Sequence, residues 1–414
     1  MSEFSEASSH FHKAISKADR QEAGIFFTPK QARDRLWTVL SQLKPDFAPA
    51  QILEPSAGSG EFVADAAKLY PKAKITAVEF NADMAAALAK AHPKVQIHSQ
   101  DFLSYKSAPI YDLAASQGYD LIVGNPPYFQ TKAKDPRCMT GRGNIFVQFI
   151  YKCLAEHLKP QGILAFVLPT SFYNCAYYEP CRRYIAQNHT TLHVETLAGT
   201  TPWHETAQDT MIMIVQASSP TAANPFIYHP RATPEATYIT PYASELATLT
   251  ADTITFGELG FKVKTGGIVW SEHKHGNSKK SREFELSDDP EDHLLIYSSN
   301  IKDGEIVLFE GAQRSGKKQY ISGGGEPQVG PAFLIARGYG NCKYKLDFAV
   351  VPEGTSFHAE NHLNVISSDE AEDPELIEQI CVSLKSENTA KFLNMFVGNG
   401  ALSATELANV LPIF

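Results

Sequence analysis

No two cysteines in this chain form a C-x-x-C pair. The six present, Cys138, Cys153, Cys175, Cys181, Cys342 and Cys381, are scattered. That suggests neither a zinc site nor a disulfide framework and fits a reduced compartment. No apolar run reaches membrane-spanning length. The stretch Met1 to Gln21 is polar and of mixed charge, with no secretory hydrophobic region, so a cytosolic protein is expected. Positive charge is also short: the formal net charge is -9 over 414 residues. That weighs mildly against a nucleic-acid partner. Net charge is a poor guide where charge is clustered, however, and here it is clustered. A G-x-G-x-x-G turn is missing, and so is the lysine of a phosphate-binding loop, so a pyrophosphate is not the obvious guest. The length leaves room for two domains with substantial cores.

The chain is organised around Asp120-Leu121-Ile122-Val123-Gly124-Asn125-Pro126-Pro127-Tyr128. Strand-forming residues run into a rigid polar corner. Two prolines fix φ and remove two N–H donors, which frees nearby carbonyls to accept from another group. Asn125 adds a side-chain acceptor and Tyr128 an aromatic face. A flat exocyclic amino group with two N–H donors suits that corner. A bare Pro-Pro turn would be read as structure; the upstream segments change the odds.

Upstream, Gly24-Ile25-Phe26-Phe27-Thr28-Pro29 precedes a helix over Lys30–Leu43, with Thr28 expected as its cap and Pro29 as its first residue. The strand Gln51–Glu54 feeds Pro55-Ser56-Ala57-Gly58-Ser59-Gly60 and a helix over Glu61–Leu69. Strand, glycine turn and helix let backbone approach a nucleotide-like ligand closely. Lys74–Glu79 is a second strand ending in an acid, about 20 residues beyond the glycine turn, the spacing at which a carboxylate meets ribose hydroxyls. A helix over Asn81–Ala91, a third strand Val95–His98 and the pair Asp101-Phe102 follow. All these polar groups fall at carboxyl ends of strands, where open α/β sheets bind ligands. Asn144–Leu158 reads as a helix; Gly162–Leu168, His193–Leu197 and Met211–Val215 read as further strands, with Trp203 in a loop between the last two. The alternation implies a mostly parallel, doubly wound, seven-stranded sheet.

Four regions are expected: an arm over 1–24, a catalytic domain over 25–218, a linker over 219–252, where prolines break the periodicity, and a second domain of mixed α+β character over 253–414. The last carries Lys262, Lys264, Lys274, Lys279, Lys280, Arg282 and Arg337, while acid gathers at Asp288–Asp292 and Asp369–Asp373. Such segregation of sign supports a face for a polyanion. Ser403-Ala404-Thr405-Glu406 is a capping box.

Taken in order, Phe26-Phe27-Thr28-Pro29, Glu54–Gly60, Glu79, Asp101-Phe102 and Asn125-Pro126-Pro127-Tyr128 resemble the γ-group DNA adenine-N6 methyltransferases of type II restriction–modification systems. The resemblance covers roughly residues 25–216. It implies a Rossmann-like class I fold, a C-terminal target-recognition domain, S-adenosylmethionine as cofactor, double-stranded DNA as partner, and a cytoplasmic, nucleoid-associated protein of bacterial or viral type. It implies a possible separate cognate endonuclease, and no metal or membrane. By the same resemblance Phe27, Thr28, Glu54, Pro55, Ser56, Ala57, Gly58, Gly60, Glu79, Asp101, Phe102 and Pro127 would hold the cofactor. Asn125, Pro126 and Tyr128 would act on the target amino group, and Tyr128 and Trp203 would stack on a flipped base. The basic residues above would meet DNA. Two readings stand beside this one. Asn-Pro-Pro-Tyr also occurs in enzymes that methylate a release-factor glutamine or guanine N2 of ribosomal RNA, and the corner does not separate these amino groups. A non-catalytic DNA-binding protein is the other.

Overall fold

The computed structural model describes residues 28–106, 118–131, 135–141, 143–197, 209–220, 223–271, 284–310, 313, 315–338, 344, 346–368, 373–398 and 401–414. The expected N-terminal arm and the residues Phe27, Trp203, Lys274, Lys279, Lys280 and Arg282 lie outside that set. Two compact units emerge, Met1–His229 with Glu235–Glu245, and Pro230–Pro234 with Leu246–Phe414.

The first unit is a seven-stranded sheet. Its strands are β1 (Gln51–Glu54), β2 (Lys74–Glu79), β3 (Gln96–Ser99), β4 (Tyr119–Gly124), β5 (Leu158–Pro169), β6 (Thr190–Thr196) and β7 (Thr210–Gln216), in the spatial order β3-β2-β1-β4-β5-β7-β6. Strands β1 to β5 pair parallel and β7 runs antiparallel to both its neighbours. This is the order of the class I methyltransferase fold.

Both faces of the sheet are covered, which is why its central strands are apolar throughout rather than alternating. In β5, Leu164, Phe166 and Leu168 face one core with Phe146, Phe172 and Ile185. Ile163, Ala165 and Val167 face the other with Leu36, Phe62 and Leu88. The helices involved are α1 (Lys30–Leu43), α2 (Glu61–Leu69), α3 (Ala82–Ala91), α4 (Ile145–Lys152) and α5 (Glu179–Asn188).

Three local expectations need correction. Thr28 does not cap α1: Pro29 occupies the cap position with extended backbone, Lys30 begins the helix, and no side chain caps it. The helix expected over Asn144–Leu158 is α-helical only to Lys152, with Asn144 as its cap. A π turn over Cys153–His157 then swings His157 into the core, and β5 starts at once at Leu158. The stretch 219–252, expected to be a linker, holds a two-stranded hairpin, Ile227–Tyr228 with Tyr238–Ile239, and a helix, Ala243–Leu249. The hairpin is fastened by buried Arg182, which donates to Thr237 O at 2.6 Å while its cation lies over the Tyr238 ring.

The second unit has a four-stranded antiparallel sheet in the order Lys262–Thr265, Leu363–Ser367, Ala332–Ala336, Phe348–Val351. A five-stranded sheet joins Phe284–Ser287, Tyr320–Gly323, His293–Ile296, Ser356–Ala359 and Gln328–Val329. Helices Pro374–Leu384, Glu387–Phe396 and Ala404–Asn409 complete it, the last opened by the expected capping box of Ser403 and Glu406. Among the described residues no helix is long and apolar enough to cross a membrane.

Candidate active site at the carboxyl edge of the sheet

The turn after β1 is held from within. Ala57 N–H donates to Val78 O at 2.9 Å, fixing the turn to β2. Gly60 adopts φ +88° as the cap of α2, and a Cβ there would lie 2.2 Å from Leu88, so both conformation and packing demand glycine. Gly58, at φ +53°, has nothing within 4 Å of where a Cβ would stand. Its backbone therefore faces open space beside the carboxyl ends of β1 and β2.

Glu79 closes β2. Its carboxylate accepts from Gly58 N–H at 2.7 Å and from Asn81 N–H at 2.7 Å. Burial raises its pKa, and the two backbone donors pull the other way. Glu54, 2% exposed, sits at the end of β1 and accepts from Ser56 N–H at 3.3 Å. Its pKa is pushed well up, first by burial and further by the nearby charge of Glu79. Two deeply placed acids thus flank the turn.

The corner after β4 meets that turn directly. A Cβ on Gly124 would lie 2.2 Å from Glu54 Oε1, so the two strand ends touch without an intervening side chain. Ser56 Oγ donates to Asn125 O at 3.2 Å, tying the two loops together. The Tyr128 hydroxyl lies within hydrogen-bonding distance of the Asn125 side-chain oxygen and of Val167 O, the latter at 2.8 Å, and its single proton serves one of them at a time. Burial holds the Tyr128 phenol well above its ordinary pKa, so it stays a neutral donor. Its ring packs edge-on against Phe146 at 6.0 Å. Pro126 is buried; Asn125, Pro127 and Tyr128 are half-buried.

The sequence-derived residues thus divide. Thr28, Glu54–Gly60, Glu79 and Asn125–Tyr128 are described around one edge of the sheet. Asp101 is exposed there, with Oδ1 accepting from Leu103 N–H at 2.9 Å. Phe102 lies just inside that edge. It is 2% exposed, with Phe149 at 4.8 Å and His157 at 5.4 Å. The π turn delivers His157 against that ring. Burial pushes His157 down to about 4, and it is neutral at physiological pH.

Phe80 was missed by sequence reasoning. It follows Glu79 directly and is 79% exposed. An aromatic immediately after the strand-ending acid was the available signal. In the second unit Lys262 and Lys264 are exposed, but Arg337 is half-buried and donates to Asn361 O at 3.3 Å, so it is not a free surface cation. Cys138, Cys153 and Cys181 are fully buried, with thiols raised by burial, Cys138 to about 12. None of these three is a poised nucleophile.

The profile of the Eco57I restriction-modification methylase family matches residues 58–200. The type II methyltransferase M.CvrRI of Paramecium bursaria Chlorella virus XZ-6E is 27% identical, covering 99% of this chain and 99% of its own. The modification methylase CviBIII of Paramecium bursaria Chlorella virus NC1A is 38% identical over 44% of this chain and 47% of its own. A tRNA1(Val) (adenine(37)-N6)-methyltransferase of Vibrio parahaemolyticus is 32% identical over 30% of this chain and 52% of its own. The chain spans about half the length of the latter two. By these matches the chain is similar to the restriction–modification methylases.

S-adenosylmethionine is accordingly the cofactor of this methylase. The residues at the sheet edge fit it on their own chemistry. An open glycine backbone, a ribose-type acid, an exposed aromatic and an exposed aspartate occupy successive strand ends. Nothing in the set resembles a phosphate cradle, as suits a cofactor without phosphates.

Proposed function

We propose that this methylase transfers a methyl group to N6 of adenine in double-stranded DNA, on a nucleotide extruded from the helix, as the modification arm of a restriction–modification system with a possible separate endonuclease. The observation that carries this reading is the Ser56–Asn125 bond, which puts the cofactor turn and the Asn-Pro-Pro-Tyr corner against one another. The full-length match to M.CvrRI supports it in a way that a match of the sheet alone would not.

In this reading Thr28 and the turn Glu54–Ala57 hold the methionine end of the cofactor, and Glu79 accepts from the ribose hydroxyls. Asp101 takes the adenine amino group, Phe80 and the edge of Phe102 border the ring, and Pro127 closes the side nearest the corner. The bound cofactor supplies an electrophilic methyl group on a sulfonium. The chain's own work is to ready the amino nitrogen, whose lone pair is delocalised into the ring. The Asn125 side-chain oxygen and the Pro126 carbonyl accept from its two N–H groups. That favours a pyramidal nitrogen and offsets the positive charge that develops on it. Extruding the base costs a few kcal/mol. Stacking on Tyr128, with Trp203 as the expected second wall, returns roughly 1–3 kcal/mol per contact. The Tyr128 hydroxyl already bonded to Asn125 has to yield that acceptor, or share it, when a base enters.

A second reading is favoured by one observation: a relative named as a tRNA adenine methyltransferase matches 30% of this chain. One assay separates the two. The full chain is incubated with labelled S-adenosylmethionine and, in turn, duplex DNA, tRNA, ribosomal RNA and release factor, and the products are digested and weighed. N6-methyladenine in DNA alone is expected. Label in RNA or in a glutamine, with DNA unmarked, sinks the proposal.

A further inference from the structure

Arg33 is a buried cation with an unusual set of partners. It lies in the first turn of α1 and is 5% exposed. Its Nη1 donates to Thr28 O at 2.7 Å, its Nη2 lies 3.0 Å from Glu61 Oε2, and its Nε donates to Asp65 Oδ2 at 2.8 Å. Trp37 Nε1 adds a donor to the same Asp65 oxygen at 3.3 Å. A planar guanidinium with a fixed fork of donors can hold three acceptors at set angles; a lysine can hold one or two without fixing their angles.

The three acceptors are not arbitrary. Thr28 precedes α1 and is the residue expected at the methionine carboxylate. Glu61 is the first residue of α2, directly after Gly58-Ser59-Gly60. Glu79 grips the same turn from the other side, at Gly58 N–H. The turn is therefore pinned at both ends, and Arg33 ties it to the Thr28 segment. Bracing of α1 on α2 would account for the bond to Asp65, one turn further along α2. It does not account for the bond to a backbone carbonyl at Thr28, outside either helix.

We propose that Arg33 is a positioning residue for the methyl donor: by joining Thr28 to the start of α2 it sets the width of the methionine end of the cofactor pocket. This rests on the reading that Thr28 and the turn after β1 hold that end. Arg33 touches neither donor nor target. The Asn125 corner is held by Tyr128, which also reaches Val167 O, and by Ser56 at the far end of the same turn from Glu61. Loss of Arg33 therefore weakens donor binding and leaves the chemical step alone once donor is saturating.

The test uses the full chain. Donor affinity is measured by calorimetry, KM and kcat by label transfer to duplex DNA, DNA affinity by titration, and the fold by melting. Arg33→Gln is expected to raise the dissociation constant and KM for S-adenosylmethionine by about tenfold or more, with kcat at saturating donor within about threefold. Arg33→Lys, which keeps the charge but not the fork, recovers part of the affinity. DNA affinity is unchanged in both. Unchanged donor affinity in Arg33→Gln overturns the proposal. So does a parallel fall in kcat, donor affinity and DNA affinity that lysine does not relieve. If Arg33→Gln does not fold, Arg33→Lys decides: donor affinity equal to the parent's overturns the proposal, and a selective rise in KM supports it. Thr28→Ala and Glu79→Gln test the underlying reading. Normal donor affinity in both removes that reading whatever Arg33 does, and the proposal with it.

Discussion

The two units of the chain spend their buried polar groups differently. In the first, Glu54 and Glu79 end their strands beside the open turn at Gly58 and the corner at Asn125. In the second, the buried polar side chains brace one another and the backbone. Gln319 donates to Leu295 O at 2.8 Å and accepts from Phe309 N–H at 2.7 Å. Glu360 takes both the backbone N–H and the hydroxyl of Ser298. Asn364 accepts from Thr265 at 3.1 Å. Both acids also accept from backbone N–H groups, but the turn they hold opens at Gly58, whereas the bonded groups of the second unit close on one another. On the proposed function the first unit carries the chemistry, and what the second recognises rests on its exposed side chains.

Asn125→Ala is the strongest test of that contrast. Turnover should fall by about 10²–10³ or more, the scale for losing one preorganised polar group at a reacting atom. Donor affinity should stay nearly normal, since the turn after β1 keeps its own bonds. Single-turnover transfer of label to duplex DNA, with calorimetry of the donor, measures both. Near-normal turnover would remove Asn125 from the mechanism.

Next in size is Glu79→Gln. Loss of the ribose acceptor should weaken the donor by roughly tenfold or more. The same change bears on stability, and the sign follows from the raised pKa. Between the ordinary carboxylate value and the raised one, the folded chain holds a proton that the unfolded chain has released. Stability therefore falls as pH rises through that window, for Glu79 and for Glu54 alike. Glutamine removes the penalty. Each variant should melt higher than the parent at neutral pH, by about 2–4 °C per kcal/mol recovered, and equal it in acid. Melting curves at several pH values decide it. A lower melting point at neutral pH would mean that the hydrogen bonds to the carboxylates outweigh the cost of burying them.

These cases show how far the sequence carried. The glycine turn, the acid at the end of β2 and the proline corner were legible because each is dictated by local chemistry: φ at Gly60, strand termination at Glu79, missing donors at Pro126 and Pro127. The parallel pairing of the first five strands followed from alternation. The π turn at Cys153–His157 was not legible, since nothing in an apolar helical run marks the residue at which hydrogen bonding slips. That turn sets His157 against Phe102. Arg33 was invisible too, because its partners Thr28, Glu61 and Asp65 belong to two segments that meet only when the sheet forms. The units do divide within 219–252, but the hairpin there was not announced by the prolines, because it is fastened by Arg182, from a distant helix.

A smaller effect is expected at Tyr128→Phe. It removes the hydroxyl from Asn125 and Val167 but keeps the ring that is expected to stack. Removing the phenol frees the Asn125 acceptor in the resting chain and also loosens the side chain. The two consequences oppose one another, so kcat should change by less than about tenfold, well short of Asn125→Ala. A loss as large as that of Asn125→Ala would make the hydroxyl, rather than the ring, the functional part.

Gentlest of all is the change in the second unit. Lys262 and Lys264 lie exposed on one edge strand of its four-stranded sheet. Converting both to glutamine should weaken duplex binding without touching donor affinity. If each meets a phosphate, the slope of log K against log salt should fall by about 0.9 per lysine, whatever the sequence of the DNA. Titrations at several salt concentrations on a cognate and an unrelated duplex read this directly. An unchanged slope would mean that this strand edge does not meet the backbone, and attention would pass to other cations of the unit, such as Lys317, whose ammonium lies 4.5 Å from the Tyr297 ring centroid. A slope that changes on one duplex only would mean base contacts instead, and the division of labour between the units would be sharper than charge alone implies.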